Sequence, residues 1–270
     1  LPKSLPVAYL GDFFYAVISG NMDNMKKQAK ISILILLISA VYLNRAYAHI
    51  YSKFDLIQSP GDMDYMTQLE FSGKSKTLTY AALGDSLTAG VGASSADFSL
   101  PALLAERISQ SGGMPVAVKN LAVPGATSLD LYAKQIAEVS QLKPDMVTIF
   151  IGINDVHNFV PLDQFRANLM SSINALRQTT KAKIYLINLP YIGASDLILP
   201  PYDLFFKIKI KQYNKAIAEV AEATGAKLIN IETGSAQQLG LSSDNYSIDR
   251  FHPSDKGYQL WANLIYDGLK

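Results

Sequence analysis

Leu78-Thr79-Tyr80-Ala81-Ala82-Leu83-Gly84-Asp85-Ser86-Leu87-Thr88-Ala89-Gly90 is the stretch on which the fold turns. The run from Leu78 to Leu83 is short and largely apolar, and it ends on Gly84. That is the pattern of a strand buried on both faces, closed by a tight turn. Outward from it the same alternation repeats. Leu100–Ser109 has helical spacing, Val116–Val123 is strand-like, and Leu129–Leu142 is helical until Pro144 stops it. Met146–Ile151 is β-branched, Leu162–Leu176 helical, Ile184–Leu189 a strand and Leu204–Ala223 a long helix with Gly225 as its C-cap. Leu228–Ile231 is a strand, and Ser254 is the N-cap of a final helix to Leu269. β-α repeated five times, with continuous apolar strands, predicts a five-stranded parallel sheet in a three-layer α/β/α sandwich. In such sheets ligands bind outside the carboxyl ends of the strands.

Each strand end was therefore read for chemistry. Ser86 sits on the strand-to-helix turn after Gly84, where helix N-terminal amides surround its hydroxyl; it is a nucleophile or an ordinary N-cap. Gly125, in Val123-Pro124-Gly125-Ala126, either offers a backbone amide to a ligand or only supplies a turn with positive φ. Asn154, in Gly152-Ile153-Asn154-Asp155, either donates into the same cleft or makes an Asx-turn. Asp249 stands three residues before His252, a spacing that lets a carboxylate orient an imidazole but that is often merely structural. His157 reads as an ordinary loop histidine or a residue of the rim. Together the strand ends hold a nucleophile, oxyanion donors and an oriented base, the set needed for acyl transfer. A nucleotide reading fails twice. No Gly-Lys-Ser/Thr follows the first turn, and Gly90-Val91-Gly92 comes too late after its strand and has Ser95 for the third glycine.

Composition narrows the chemistry. The 270 residues include 24 Lys/Arg against 23 Asp/Glu, which gives no basic footprint for nucleic acid. With no cysteine, disulfides, thiolate metal sites and a Cys nucleophile are excluded. His49, His157 and His252 are the only histidines, so a His base has few candidates.

With Gly-Asp-Ser-Leu at 84–87, Gly125, Gly-x-Asn-Asp at 152–155 and Asp249-x-x-His252 in this order, the chain resembles the SGNH hydrolases, or GDSL esterases and lipases, over about residues 78–270. Ile153 stands where some members have glycine. The resemblance implies a flavodoxin-like α/β/α sandwich of five parallel strands and a serine ester hydrolase. It gives Ser86, His252 and Asp249 the catalytic roles, and the oxyanion hole to the Ser86 and Gly125 amides and the Asn154 side chain. It implies a small acyl-ester substrate and no cofactor or metal. Asp85 and Asp155 are expected to brace their turns.

The substrate rim is expected from the segment after the fourth strand. Tyr191, Leu197, Leu199 and Tyr202 with Leu204-Phe205-Phe206 form an acyl-chain wall or lid, or else a loop with the buried start of a helix. This favours a lysophospholipid-like or thioester acyl group. Glycan acetyl esters are the other family substrate, against which the single tryptophan, Trp261, weighs weakly. An acyltransferase and a non-catalytic binding module on the same fold are the rival classes.

The N-terminal part concerns export. Lys26, Lys27 and Lys30 precede the apolar run Ile31–Leu43, and Ala46-Tyr47-Ala48 follows. That is a signal peptide cut after Ala48, with an uncleaved membrane anchor as the other reading. Either places the rest of the chain outside the cytoplasm, released after cleavage or held near a membrane by the anchor. Met25 directly precedes the lysines, so residues 1–24 read as an overlong start, with Met22 as another start and a genuine extension carrying the apolar patch Phe13–Ile18 as the other reading. Residues 49–76 are expected to be a linker or packed arm, and 77–270 the hydrolase domain. Residues 49–270 hold 19 Lys/Arg and 21 Asp/Glu, a near-neutral domain.

Overall fold

The computed structural model describes residues 27–51, 64–66, 76–191, 197–239 and 242–270. In chain order these form helix α1 (Lys27–Tyr51), strands β1 (Asp64–Met66) and β2 (Leu78–Gly84), and helices α2 (Ser86–Ala89) and α3 (Leu100–Gly112). Next come β3 (Val116–Asn120), α4 (Ser128–Asp130), a π-helical turn Leu131–Gln135, α5 (Ile136–Leu142), β4 (Met146–Phe150), α6 (Ile153–His157) and α7 (Leu162–Thr179). The chain closes with β5 (Lys183–Ile187), α8 (Tyr202–Thr224), β6 (Lys227–Ile229), α9 (Glu232–Leu239) and α10 (Asp255–Leu269).

The sheet runs β1-β3-β2-β4-β5-β6. The last five are parallel neighbours, as the apolar runs predict. All five residues of β4 and the last five of β2 are buried, because helices cover both faces of the sheet. Leu83, Ile149, Phe165, Leu169 and Ile265 lie in one continuous core. Gly225 takes the left-handed conformation that ends α8, and the Ser254 hydroxyl accepts from the Gly257 amide at the start of α10.

Several boundaries differ from the sequence reading. The 49–76 arm contributes a strand: β1 pairs antiparallel on the outer edge of β3, with Tyr65 opposite Val118. It covers backbone groups that an open edge would leave unpaired. The helical stretch before Pro144 is broken by the π turn at 131–135, and α9 was not expected. Asn154 lies within the short helix α6 rather than in an isolated Asx-turn. The apolar N-terminal run is part of one helix that continues through Ala48 to Tyr51, across the expected 48/49 boundary.

The strand order reverses around β2. β3 lies on one side of it and β4 on the other, so the crevice of the sheet opens at the carboxyl end of β2. Ser86 occupies that point.

Candidate functional site

The turn after β2 is built so that a serine can stand in it. Gly84 has φ 156°, and a Cβ there would lie 2.2 Å from the Phe150 carbonyl oxygen and 2.3 Å from Thr88 Oγ1. Only glycine lets β2 and β4 approach this closely. Gln135, turned inward by the π turn, accepts from the Gly84 amide at 2.9 Å and donates to the Gly84 carbonyl at 2.8 Å. Asp85 caps α2, its Oδ1 accepting from the Leu87 amide at 3.0 Å. Thr88 donates to the Phe150 carbonyl, and the Asn120 amide donates to the Thr88 carbonyl. Ser86 opens α2, where backbone amides have no partner one turn earlier in the helix.

His252 reaches this serine from a loop 166 residues further along the chain. Its Nε2 is 2.9 Å from Ser86 Oγ, and its Nδ1 is 2.5 Å from Asp249 Oδ2. The approach depends on Gly92, φ 95°, where a Cβ would meet the Pro253 carbonyl at 2.6 Å and His252 Cβ at 3.0 Å. Gly92 therefore serves the packing of the histidine loop, and Gly90, left-handed at φ 85°, ends α2, which explains a glycine pair unrelated to dinucleotides. The loop folds onto Asp249. Asp249 Oδ1 accepts from the Ser247 hydroxyl at 2.8 Å and from the Phe251 and His252 amides at 2.9 Å each. Burial works to raise the Asp249 carboxyl. The His252 hydrogen bond and charge, with the Phe251 amide and Ser247 hydroxyl, outweigh it and hold the carboxyl below the ordinary range.

The expected oxyanion donors come from the neighbouring turns. Gly125 is exposed with φ 81°, and nothing lies within 4 Å of the position a Cβ would take. The Asn154 amide donates one hydrogen to the Ala126 carbonyl at 3.0 Å, which fixes the side chain against the Gly125 turn and leaves its second hydrogen for a ligand. Asp155 braces both turns: it accepts from the Ser128 amide at 2.9 Å and the Ser128 hydroxyl at 2.6 Å. Burial raises both bracing carboxyls. Asp85 is pushed up to about 7, first by burial and further by the charge of Asp155, against its bond from Leu87. Its Oδ2 has no hydrogen-bond partner.

The rim residues separate. His157 packs on Phe251, ring centroids 5.7 Å apart, and Phe251 packs on His252 at 5.0 Å. Burial, then the nearby His252, pushes His157 down to about 4, so it stays neutral at ordinary pH. The aromatic series continues outward through Phe206, Phe205 and Phe159. Leu197 is in the core, 1% exposed, and lines no open wall. Leu199 is half-buried, and its carbonyl accepts the Tyr202 amide. Tyr191 is half-buried, its amide held by Ser235 Oγ. Tyr202 is turned to α1, its hydroxyl donating to the Leu43 carbonyl.

Sequence reasoning missed Gln135, Ser247 and Gly92, and of the aromatic series it singled out His157, Phe205 and Phe206 but neither Phe251 nor Phe159. Only Gly92 had a visible signal, and it pointed to the wrong chemistry. Among the described residues no three His, Cys, Asp or Glu gather as a metal site. A concavity of about 1240 Å³ lies at the opposite ends of the strands, lined by Lys76, Lys143, Asp145 and Arg177 among others, away from the Ser86 turn.

Residues 82–260 match the family model of the GDSL-like lipase/acylhydrolases. An acetylxylan esterase of Geobacillus stearothermophilus is 28% identical over 161 residues, 56% of this chain and 70% of that protein. A GDSL-like esterase of Mycobacterium tuberculosis is 25% identical over 189 residues, 69% of this chain and 60% of that one. The crystal structure of a protein named TesA superposes with a TM-score of 0.60 at 24% identity, covering 71% of this chain and 98% of the other.

Proposed function

The chain belongs to the GDSL-like lipase/acylhydrolase family, and on that premise we propose that it is an exported serine hydrolase that cleaves carboxylic or thioesters. The observation that carries the reading is the unbroken line Ser86 Oγ, His252 Nε2, His252 Nδ1, Asp249 Oδ2, with steps of 2.9 and 2.5 Å across the ring. In this reading Ser86 Oγ attacks the acyl carbonyl carbon while His252 Nε2 takes its proton. Asp249 holds the imidazole with its proton on Nδ1 and stabilises the imidazolium. The carbonyl electrons move onto oxygen, where the Ser86 and Gly125 amides and the Asn154 side chain meet them. The tetrahedral species collapses, His252 returns the proton to the leaving alcohol or thiol, and an acyl-Ser86 remains. Water, deprotonated by His252, then releases the acid. The scheme requires no metal or cofactor.

The favoured acyl group is apolar, on the support of the aromatic series Phe251, His157, Phe206 that leads from His252. An acetyl ester of a carbohydrate is the second reading, supported by the name of the Geobacillus relative. Export rests on the apolar helix, of which Ile31–His49 is long and apolar enough to cross a membrane.

Hydrolysis of p-nitrophenyl esters from acetate to palmitate by the full chain, beside Ser86→Ala, tests the proposal. The expected outcome is turnover that Ser86→Ala abolishes, with an optimum above acetate. An acetate-only profile would favour the glycan reading. No turnover by a folded protein, on any ester, would refute the hydrolase reading and leave a transferase or a binding module.

A further inference from the structure

We propose that α1 is a retained membrane helix and that it seats the outer aromatic rim of the site on the bilayer surface, so that the enzyme draws acyl chains from the membrane itself. The inference rests on the ester-hydrolase reading for its substrate and stands alone for its docking.

Helix α1 is not a free tail. Tyr202, first residue of α8, donates its hydroxyl to the Leu43 carbonyl at 3.3 Å. Its ring lies 6.2 Å from that of Tyr47. Ala46 is 2% exposed. Ala46 is the first small residue of the expected cleavage motif, so the folded domain holds that motif against itself. Little of the rest of the helix is buried among the described residues: the window Ile31–His49 has a mean hydropathy of 1.7 and only 6% of it is buried. Its 19 residues span about 29 Å at 1.5 Å per residue, close to the hydrocarbon core of a bilayer. Tyr42 and Tyr47, with Arg45 between them, occupy the last turns, where interfacial side chains anchor a span. The domain touches the helix at this same end.

The surface beside that contact is apolar. Leu204 and Ile208 lie on one face of the first two turns of α8, 59% and 49% exposed. Phe159 is 67% exposed and packs on Phe205 at 5.9 Å. Large side chains grouped in this way need a cover, and the adjoining helix says which one: the lipid that must surround Ile35, Leu36 and Ile38 reaches the same level. Lys207 and Lys211 stand exposed among them, suited to anionic headgroups. From Phe159 the rings of Phe205, Phe206, His157 and Phe251 run inward to His252. A chain leaving the bilayer at this rim meets the exposed ring of Phe159 and the half-buried rings of Phe205, Phe206 and His157, which pack in series toward His252.

The test uses the absence of native cysteine. Full-length Ile208→Cys, Phe159→Cys and, as a distant control at the far end of the strands, Lys181→Cys are each labelled with an environment-sensitive fluorophore. They are reconstituted into phosphatidylcholine/phosphatidylglycerol vesicles. Quenching by headgroup-region nitroxide lipids is compared with quenching by aqueous iodide. Positions 208 and 159 should be quenched by the lipid and shielded from iodide, and position 181 the reverse. Iodide access at 208 and 159 equal to that at 181 overturns the proposal. So does shielding from both quenchers, which points to a protein partner or second copy. In the native sequence, Ile208→Asp should lower hydrolysis of a vesicle-borne long-chain monoacyl ester about tenfold and leave p-nitrophenyl acetate turnover within about twofold. Equal turnover of the vesicle substrate overturns the inference. Mass spectrometry of the protein recovered from bacterial membranes must find residues 31–48 attached; their loss overturns retention. The quenching pattern is also read in Ser86→Ala, so failure of docking and failure of the esterase reading are separately visible.

Discussion

Replacement of Asp249 by Asn tests the charge relation at the centre of the site without disturbing its shape. Asp249 Oδ1 accepts three donors: the Ser247 hydroxyl and the Phe251 and His252 amides. Oδ2 faces His252 Nδ1. An Asn can satisfy the three donors only with its oxygen in the Oδ1 place, which puts its NH2 opposite Nδ1. The imidazole must then accept at Nδ1 and carry its proton on Nε2, which faces Ser86 Oγ at 2.9 Å. A protonated Nε2 cannot take the serine proton. The flipped amide would restore the productive tautomer but set NH2 against two buried backbone donors, at a cost of about 1–3 kcal/mol each. The productive arrangement is thereby held to a small minority. We expect kcat on p-nitrophenyl esters to fall about 10⁴-fold. The melting temperature should stay close to the parent's, since the loop keeps its hydrogen bonds. Asp249→Ala, which strips all of them, should lose both activity and stability. Asp249→Asn with activity within tenfold of the parent would refute the reasoning, because Asp249 would then be a purely structural carboxylate.

Three further outcomes follow from the turn after β2. Gln135→Leu should destabilise by roughly 1–3 kcal/mol in urea titration, since it strands the buried Gly84 amide while the Gly84 carbonyl keeps the Val123 amide at 3.1 Å; an unchanged midpoint would mean that the Gln135 bond is not needed. Gly84→Ala should give little folded protein by circular dichroism, because its Cβ would sit 2.2 Å from the Phe150 oxygen; a folded, active Gly84→Ala would contradict the packing described. Asp85 moves from 3.8 unfolded to about 7 folded, so the folded state holds a proton that the unfolded chain releases between those values. Stability should therefore fall as pH rises from about 4 to about 7, by on the order of 4 kcal/mol from this group, and level off above. Asp85→Asn should flatten that slope in urea titrations across pH, and an unaltered slope would count against it.

β2, β4 and β5 were legible because they are buried on both faces along most of their length, which leaves a continuous apolar run, while β3 alternates and β6 is short, and both were legible by their place in the β-α alternation. β1 was not, because three residues paired on an outer edge carry no such pattern. The site was legible for a related reason: chemistry in an open parallel sheet is confined to strand ends, so Ser86, Gly125 and Asn154 could be sought at fixed places. His252 and Asp249 lie in the loop before α10 and were found by their spacing. What could not be read was support. Gln135 reaches Gly84 only because a π turn advances its side chain, and nothing in Leu131-Tyr132-Ala133-Lys134-Gln135 announces that extra residue per turn. Gly92 was visible as a glycine but its reason, the passage of the histidine loop, exists only in three dimensions. The rim was least legible, since the burial of Leu197 in the core and the turn of Tyr202 toward α1 are set by tertiary packing.

Three carboxylates lie buried around the serine, and the proposed relay requires them to differ. Asp249 faces four hydrogen-bond donors and stays ionised beside the imidazole it orients. Asp85 is one residue from Ser86, yet its donors are backbone amides only, the Leu87 amide first among them, and burial outweighs them and favours its neutral form. Asp155 is raised as well, burial outweighing its two bonds from Ser128. A second full negative charge at the nucleophile would oppose the oxyanion that forms next to it, and it would draw the imidazolium proton away from Asp249. Donor count sets the division. The carboxylate that must carry charge is given a loop of amides, and the two that only cap turns are left underprovided. Asp85 thereby carries a fall of stability between about pH 4 and 7, and Asp249 the chemistry. Asp85→Asn should therefore remove that fall and leave the proton relay from Ser86 to His252 in place, whereas Asp249→Asn should break the relay and, in folding, remove only the loss of stability that protonation of Asp249 brings in acid.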